Sequence, residues 1–239
     1  MTGEEVVAGR NTVDDIPAQW WLRLGHDLRA PIAPMRLALQ LLRSGHGSPT
    51  ERQETLAVLD RQLDHLLANI NDLSDLARIN AGTFTANIAP ADLNLVIDIV
   101  EGRQALGSRL SERKQSLRCI SSENAIVARH DSARLAALLE FILERAARHA
   151  NAGTSLTLTL DESEDSRVAR LRIAGTKDLL AAEPELAYIA GSATLPMAEM
   201  EARPIVMRKV VCMHQIAFAQ ASASPEIILS MPTFALPEP

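Results

Sequence analysis

The stretch Leu24-Gly25-His26-Asp27-Leu28-Arg29-Ala30-Pro31 lies inside an apolar stripe that decides the first third of the fold. Outward from it, apolar residues fall at Trp21, Leu24, Leu28, Ile32, Met35, Leu39 and Leu42. They recur every three or four positions, the period of one helix face, and predict a single helix from Trp21 to Leu42. Pro31 cannot donate a backbone hydrogen bond, so a kink is expected one turn beyond His26. Ser44-Gly45-His46-Gly47-Ser48-Pro49-Thr50 then breaks the pattern, and Ser48 or Thr50 can cap the next helix. That helix carries Leu56, Leu59, Leu63, Leu66, Ile70, Leu73 and Ala77, a near-perfect heptad seam closing at Gly82. A hairpin of two such helices leaves a leucine face in water. Pairing two hairpins into a four-helix bundle hides it, so a homodimer is expected on physical grounds.

Beyond residue 88 the pattern alternates. Ala91 to Leu110 reads as a helix, with Leu93, Val96, Ile97 and Val100 on one face. Gln115 to Ile120 and Ala125 to Arg129 read as strands. Asp131 to Ala150 is a strong helix, capped by Asp131 and apolar at Leu135, Leu138, Leu139, Ile142, Leu143 and Ala146. Ser155 to Leu160 and Val168 to Ile173 alternate as strands around an acidic loop, Asp161 to Asp165. Met200 to Gln215 is helical, Ile227 to Met231 is a last strand, and the Pro-rich end from Pro232 to Pro239 reads as loose. The order predicts an α+β chain: residues 1–15 an N-terminal segment, 16–88 the helical hairpin, 89–239 an α/β sandwich with helices on one sheet face.

Composition narrows the class. The 239 residues are 47% hydrophobic, 23% charged and 3% aromatic, with a net charge of −6. A disordered chain is excluded, the core must be aliphatic, and a strongly basic nucleic-acid surface is not expected. Cys119 and Cys212 are far apart, so no disulfide framework exists and a reducing, cytoplasmic setting is expected. No apolar run approaches the ~20 residues of a membrane span, and the polar first 15 residues are unlike a secretory signal. Neither nucleic acid nor membrane is an expected partner.

His26, Asp27, Leu28, Arg29 and Pro31 resemble the dimerisation and phosphoacceptor signature of two-component histidine kinases; Ala30 stands where that family usually has Thr or Ser. Asn71 to Gly82 resembles the close of the family's second helix, and His130 to Leu135 the opening of the main helix of its ATP-binding domain. The resemblance implies that His26 is the phosphoacceptor, with Asp27 as base or orienter of the imidazole. On the helix, His26 falls on the outer flank of the stripe, exposed to a large partner. A neutral imidazole nitrogen is a competent nucleophile at neutral pH. Arg23 and Arg29, three residues to either side, can offset phosphoryl charge. His46, His65, His130, His149 and His214 carry no ligand spacing and are read as structural or surface residues.

The resemblance fails where the family binds nucleotide. Phe141 and Arg145 stand in place of two Asn residues of the main helix, the second of which holds Mg²⁺, and a cation cannot ligate a cation. Ala174 replaces the Asp that reads adenine, Gly175 remains, and Lys177 sits where a further glycine belongs. Ala202-Arg203-Pro204-Ile205 replaces the second glycine-rich motif, and the Phe motif of the lid is absent between Asp178 and Glu201. The expected function is therefore histidine phosphotransfer between receiver-domain aspartates through His26, with no ATP and no cofactor held by this chain, and with Mg²⁺ supplied by the receiver. The length, close to that of a kinase catalytic core, is expected to leave nothing over for a sensor domain. The alternatives are a divergent ATP-dependent kinase, with Arg145 and Lys177 as phosphate contacts, and a pseudokinase scaffold or inhibitor that binds a receiver. A phosphatase role is disfavoured because Ala30 has no polar atom to position water.

Overall fold

The computed structural model describes residues 18–45, 47–163, 167–176, 178–196, 200–220 and 225–234, and within these the side chains of all but residues 18, 19, 23 and 105. Two compact units emerge. One joins the chain up to Phe84 with Pro196–Val206; the other comprises Thr85–Leu195 and Met207–Pro239.

In the first unit the predicted long helix is divided into α1 (Ala18–Arg29) and α2 (Ile32–Arg43). The division has a local cause. Ala30 N–H still donates to the His26 carbonyl at 2.9 Å, but Pro31 has no N–H to continue the ladder, and bonding resumes with Met35 N–H to the Pro31 carbonyl. Pro31 keeps a helical backbone (φ −71°, ψ −19°), so the axis is interrupted rather than reversed. The helix α3 (Pro49–Asn80) starts at a capping box. Ser48, not Thr50, is the cap: its hydroxyl accepts from Glu51 N–H at 3.3 Å, and Glu51 Oε2 accepts from Ser48 N–H at 2.6 Å. Those backbone and hydroxyl bonds hold the Glu51 carboxyl below the usual range. Pro49 supplies the first-turn residue that needs no donor. Gly82, at φ +69°, turns the chain out of α3.

The heptad seam is only half used within one chain. Leu59, Leu66 and Leu73 are half-buried, while Leu56, Leu63 and Ile70 are exposed, as are Ile32, Leu37, Leu39 and Leu41 on α2. Trp20 behaves differently: it is buried, stacks edge-to-face on Trp21 with centroids 5.1 Å apart, and donates its indole N–H to the Met200 carbonyl at 2.8 Å.

The second unit departs from the predicted Ala91–Leu110 helix. It begins with β1 (Ala89–Asp92), which pairs antiparallel with β3 (Val127–His130). Two helices follow, α4 (Asn94–Glu101) and α5 (Gln104–Glu112). Asp92 Oδ1 accepts from both Asn94 N–H and Ile126 N–H, so this short acidic side chain ends the strand and starts the helix together. Gly102 caps α4, and the extended Arg103 (ψ 92°) separates it from α5.

The remaining elements are β2 (Ser116–Ile120), α6 (Ser132–His149), β4 (Ser155–Glu162), β5 (Val168–Ala174), α7 (Leu179–Ala182), α8 (Pro184–Ile189), α9 (Ala202–Met213), β6 (Ala217–Gln220) and β7 (Glu226–Pro232). The main sheet has the order β2-β4-β5-β7-β6, with β2 and β4 parallel and the other pairs antiparallel. Its inner face is built from alternate positions such as Leu156, Leu158, Leu160, Leu171 and Ile173, all buried. The helix α6 is capped by Asp131, whose Oδ1 accepts from Arg134 N–H at 3.1 Å. All six apolar positions expected inward on it are buried, together with Ala136, Phe141 and Ala147.

The sequence reading missed α7, α8 and β6. The helices are four and six residues long, and the strand has small residues at half its positions. The acidic loop is shorter than expected, because β4 extends through Asp161 and Glu162; residues 164–166 lie outside the described set. The end of the chain is ordered further than expected: Thr233 N–H donates to the Arg167 carbonyl and Phe234 N–H to the Val127 carbonyl. Residues 235–239 lie outside the described set. Among the described residues no helix is long and apolar enough to cross a membrane, and both cysteines are free.

Candidate functional site

His26 sits in the last turn of α1, on the flank away from the stripe, and its side chain is 82% exposed. Nδ1 lies 3.3 Å from Asp27 Oδ1. A carboxylate in that position favours the tautomer with the proton on Nδ1, which leaves the lone pair on Nε2 directed at solvent. Arg29 is exposed on the same flank. Its guanidinium reaches back along the helix, so that a Cβ built on Gly25 would meet Arg29 Nη1 at 3.5 Å. Pro31 is buried, and the Arg23 side chain lies outside the described residues. The structure therefore brings His26, Asp27 and Arg29 together at the point where Pro31 interrupts the helix.

The positions that align with the nucleotide motifs are arranged otherwise. Phe141 is a core residue, 2% exposed. The Arg145 guanidinium lies 4.7 Å over the Phe141 ring. It also pairs with Glu183 Oε2 at 3.5 Å and Glu185 Oε2 at 2.5 Å. On the next turn of α6, His149 Nε2 lies 2.8 Å from Glu183 Oε1. The Arg145 side chain is 11% exposed and those of Glu183 and Glu185 12% and 18%. The expected alternative of Arg145 as a phosphate contact is not what the geometry presents, because both carboxylates already engage the guanidinium. The network was missed in the sequence. Its signal was the Glu183-Pro184-Glu185 doublet opposite an Arg and a His four residues apart on one helix face.

At the end of β5, Ala174 pairs in the ladder opposite Glu226 and Thr157 and offers no acceptor beyond its backbone. Gly175, at φ +111°, is held for packing: a Cβ there would stand 2.9 Å from Leu156 Cδ2 and 3.3 Å from the Ser155 carbonyl. Asp178 also has a left-handed backbone, at φ +49°; Lys177 lies outside the described residues. Thr176 is buried, and its hydroxyl has no hydrogen-bond partner among the described residues. Ala202, Arg203 and Pro204 form the first turn of α9, and buried Pro204 has no N–H to offer an anion there.

The other histidines are structural or surface groups. His130 Nδ1 bonds the Ala128 carbonyl and Nε2 the Ser132 hydroxyl. His214 Nε2 accepts from Asp131 N–H, and Nδ1 bonds the Val210 carbonyl. Burial holds His130 below the ordinary histidine range, with His214 nearby acting in the same direction. His65 is exposed and His46 lies outside the described residues. Among the described residues no cluster of three or more His, Cys, Asp or Glu is placed to hold a metal ion.

Residues 20–82 match the family model of the His Kinase A (phospho-acceptor) domain. Sensor protein BasS of Salmonella typhimurium is 28% identical over 147 residues, 61% of this chain and 39% of that protein. Alginate biosynthesis sensor protein KinB of Pseudomonas aeruginosa is 25% identical over 155 residues, 64% of this chain and 26% of that protein. The chain thus spans well under half the length of these relatives. Among solved structures, the Acinetobacter baumannii histidine kinase AdeS superposes with a TM-score of 0.53 at 17% identity, covering 87% of this chain and 96% of that one. Histidine kinase ThkA in complex with response regulator TrrA gives 0.53 at 12% identity, covering 91% and 62%. At these identities the solved structures establish a shared fold.

Proposed function

We propose that this chain, whose residues 20–82 match the His Kinase A phosphoacceptor model and which shares the fold of histidine kinases, is a phosphotransfer protein that works without ATP. It acts as a cytoplasmic homodimer, joined through the exposed leucine face of α2 and α3, and exchanges phosphoryl groups with receiver domains. The His26 Nε2 lone pair attacks the phosphorus of a receiver aspartyl phosphate. The N–P bond forms, the P–O bond to the aspartate breaks, and the aspartate leaves as a carboxylate. Asp27 keeps the proton on Nδ1 and offsets the positive charge that develops on the ring. Arg29 lies where it can offset phosphoryl charge. The reverse sequence delivers the group to a second receiver, and the receiver brings the Mg²⁺ and lysine that stabilise the transferring group.

The observation that carries this reading is the buried Arg145. Where the family pattern places a Mg²⁺ ligand, a guanidinium is paired to Glu183 and Glu185. The test is label transfer. A ³²P-labelled receiver should label the wild-type protein without ATP and leave His26→Ala unlabelled, and γ-labelled ATP alone should label neither. Absence of label on wild type, or undiminished label on His26→Ala, refutes the proposal.

A second reading, a divergent ATP-dependent kinase, is favoured by the similarity to the sensor proteins BasS and KinB. Saturable binding of Mg-ATP by calorimetry, with autophosphorylation of His26, would put it in place of the first. A third, the pseudokinase scaffold, predicts that His26→Ala keeps its function in cells.

A further inference from the structure

Two buried histidines meet inside the α/β unit, and neither the His26 site nor the Arg145 network uses them. His130, at the end of β3, is 1% exposed, and His214, the residue after α9, is 3% exposed. The partners of each ring fix its protonation. A carbonyl can only accept, so His214 Nδ1, 2.8 Å from the Val210 carbonyl, carries the proton. A backbone N–H can only donate, so His214 Nε2, 2.9 Å from Asp131 N, presents a bare lone pair. The ring is therefore neutral in this arrangement. His130 takes the same tautomer: Nδ1 donates to the Ala128 carbonyl at 3.0 Å, and Nε2 accepts from the Ser132 hydroxyl at 3.0 Å.

The two rings answer a second proton differently. The Ser132 hydroxyl can turn and accept from a protonated His130. The Asp131 N–H is fixed in the backbone, so a protonated His214 sets two donors against each other across 2.9 Å. The His214 ring is also tied to its own helix. The Val210 carbonyl accepts both its ring and its backbone N–H, and Gln215 leaves α9 at once through a left-handed backbone, φ +54°. Two carboxylates belong to the same surroundings, Asp131 at the start of α6 and Asp92 on β1. Burial holds His130 below the ordinary histidine range; the Ala128 bond acts upward, charge on His214 downward, and Asp131 and Asp92 upward. A positive charge on one ring thus disfavours charge on the other. Asp131 joins the pair to the chain that leads into the unit. Its Oδ1 accepts from Arg134 N–H at 3.1 Å and its Oδ2 from Asn87 N–H at 2.9 Å. Asn87 is exposed and lies between α3 and β1.

We propose that His214 is a proton-sensitive lock on the segment that leads from the helical hairpin into the α/β unit. With a neutral ring, Nε2 holds the Asp131 N–H and the Asp131 carboxylate holds Asn87. When Nε2 takes a proton from water, the Asp131 N–H loses its acceptor. The carboxylate then turns to the imidazolium, exchanging a neutral donor for a charge-assisted one, and releases Asn87. Residues 85–88 gain freedom in acid and are pinned above it. The lock does not depend on phosphoryl transfer at His26.

Hydrogen exchange of the full-length ¹⁵N-labelled protein tests this between about pH 7.5 and 5, with protection corrected for the intrinsic exchange rate at each pH. Protection of the Asn87 and Asp131 amides should fall by about tenfold or more as the pH drops, beyond any change at the Leu158 and Ile173 amides of the sheet. Ring ¹⁵N shifts should show His214 Nε2 without a proton at the upper end of the range, and its protonation should share a midpoint with the release of Asn87. His214→Gln carries an oxygen that can accept from the Asp131 N–H but takes no proton, so Asn87 should stay protected throughout. His130→Asn should leave the response in place. Four results overturn the proposal: Asn87 protection that changes only in step with Leu158 and Ile173, a proton on His214 Nε2 at the upper end, ring and exchange midpoints that differ, or a response that survives His214→Gln or is lost in His130→Asn. The two midpoints are read on the wild-type protein, so they decide the matter even if His214→Gln does not fold.

Discussion

Replacing Arg145 with methionine keeps most of the side chain's volume and stem but removes the guanidinium from between Glu183 and Glu185. The three side chains are 11%, 12% and 18% exposed, so solvent screens their interaction little. Removing one member of a buried pair leaves an uncompensated charge and costs about 3–5 kcal/mol. The lost stacking on Phe141 adds about 1 kcal/mol. His149 remains against Glu183 and returns part of this, so the net cost is about 4 kcal/mol. With a urea slope of about 2 kcal/mol per molar, the unfolding midpoint of the α/β unit should fall by about 2 M, read by far-ultraviolet circular dichroism. The triple variant Arg145→Met, Glu183→Leu, Glu185→Leu should recover most of the loss, because an apolar replacement of the whole network leaves no stranded charge. A midpoint shift below about 0.3 M for Arg145→Met, or no recovery in the triple variant, would show that the guanidinium is solvated and that the network does not close the site.

Other expectations follow from single contacts. His130 is held below the ordinary value of 6.5 chiefly by burial, so the unfolded chain takes up its proton first as pH falls. Stability is then full above about pH 6.5 and declines as the pH drops through the folded value, and His130→Asn should flatten that decline in urea midpoints measured between about pH 7 and 5. Gly175→Ala places a Cβ 2.9 Å from Leu156 Cδ2 on a backbone with φ +111°, and should cost about 2–3 kcal/mol by thermal unfolding. Ser48→Ala removes one half of the capping box and should cost about 1 kcal/mol, lowering the helical signal of a 16–88 fragment if that fragment folds alone. Asp27→Asn should keep His26 exposed but slow phosphoryl uptake from a labelled receiver, because an amide no longer offsets the charge developing on the ring.

Much of this was legible along the chain because it rests on near neighbours. The stripe through His26, the break at Pro31, the cap at Ser48 and the buried face of α6 involve residues no more than one or two turns apart. Their outcome follows from helical period and backbone donors. The short elements escaped for the opposite reason. α7, α8 and β6 are too short to show a period, and β1 exists because Asp92 bridges to Ile126, 34 residues on.

The sequence by itself determined that this chain is a helical hairpin followed by an α/β sandwich and that His26 stands exposed beside Asp27. Hydrophobic period and residue identity suffice for those statements. Tertiary structure alone decided what Arg145 does. Arg145 read in isolation is a cation in place of a magnesium ligand; in the fold it is stacked on Phe141 and paired to two carboxylates nearly forty residues away. An ion pair across that distance depends on how α6, α7 and α8 come together, and no local pattern encodes it.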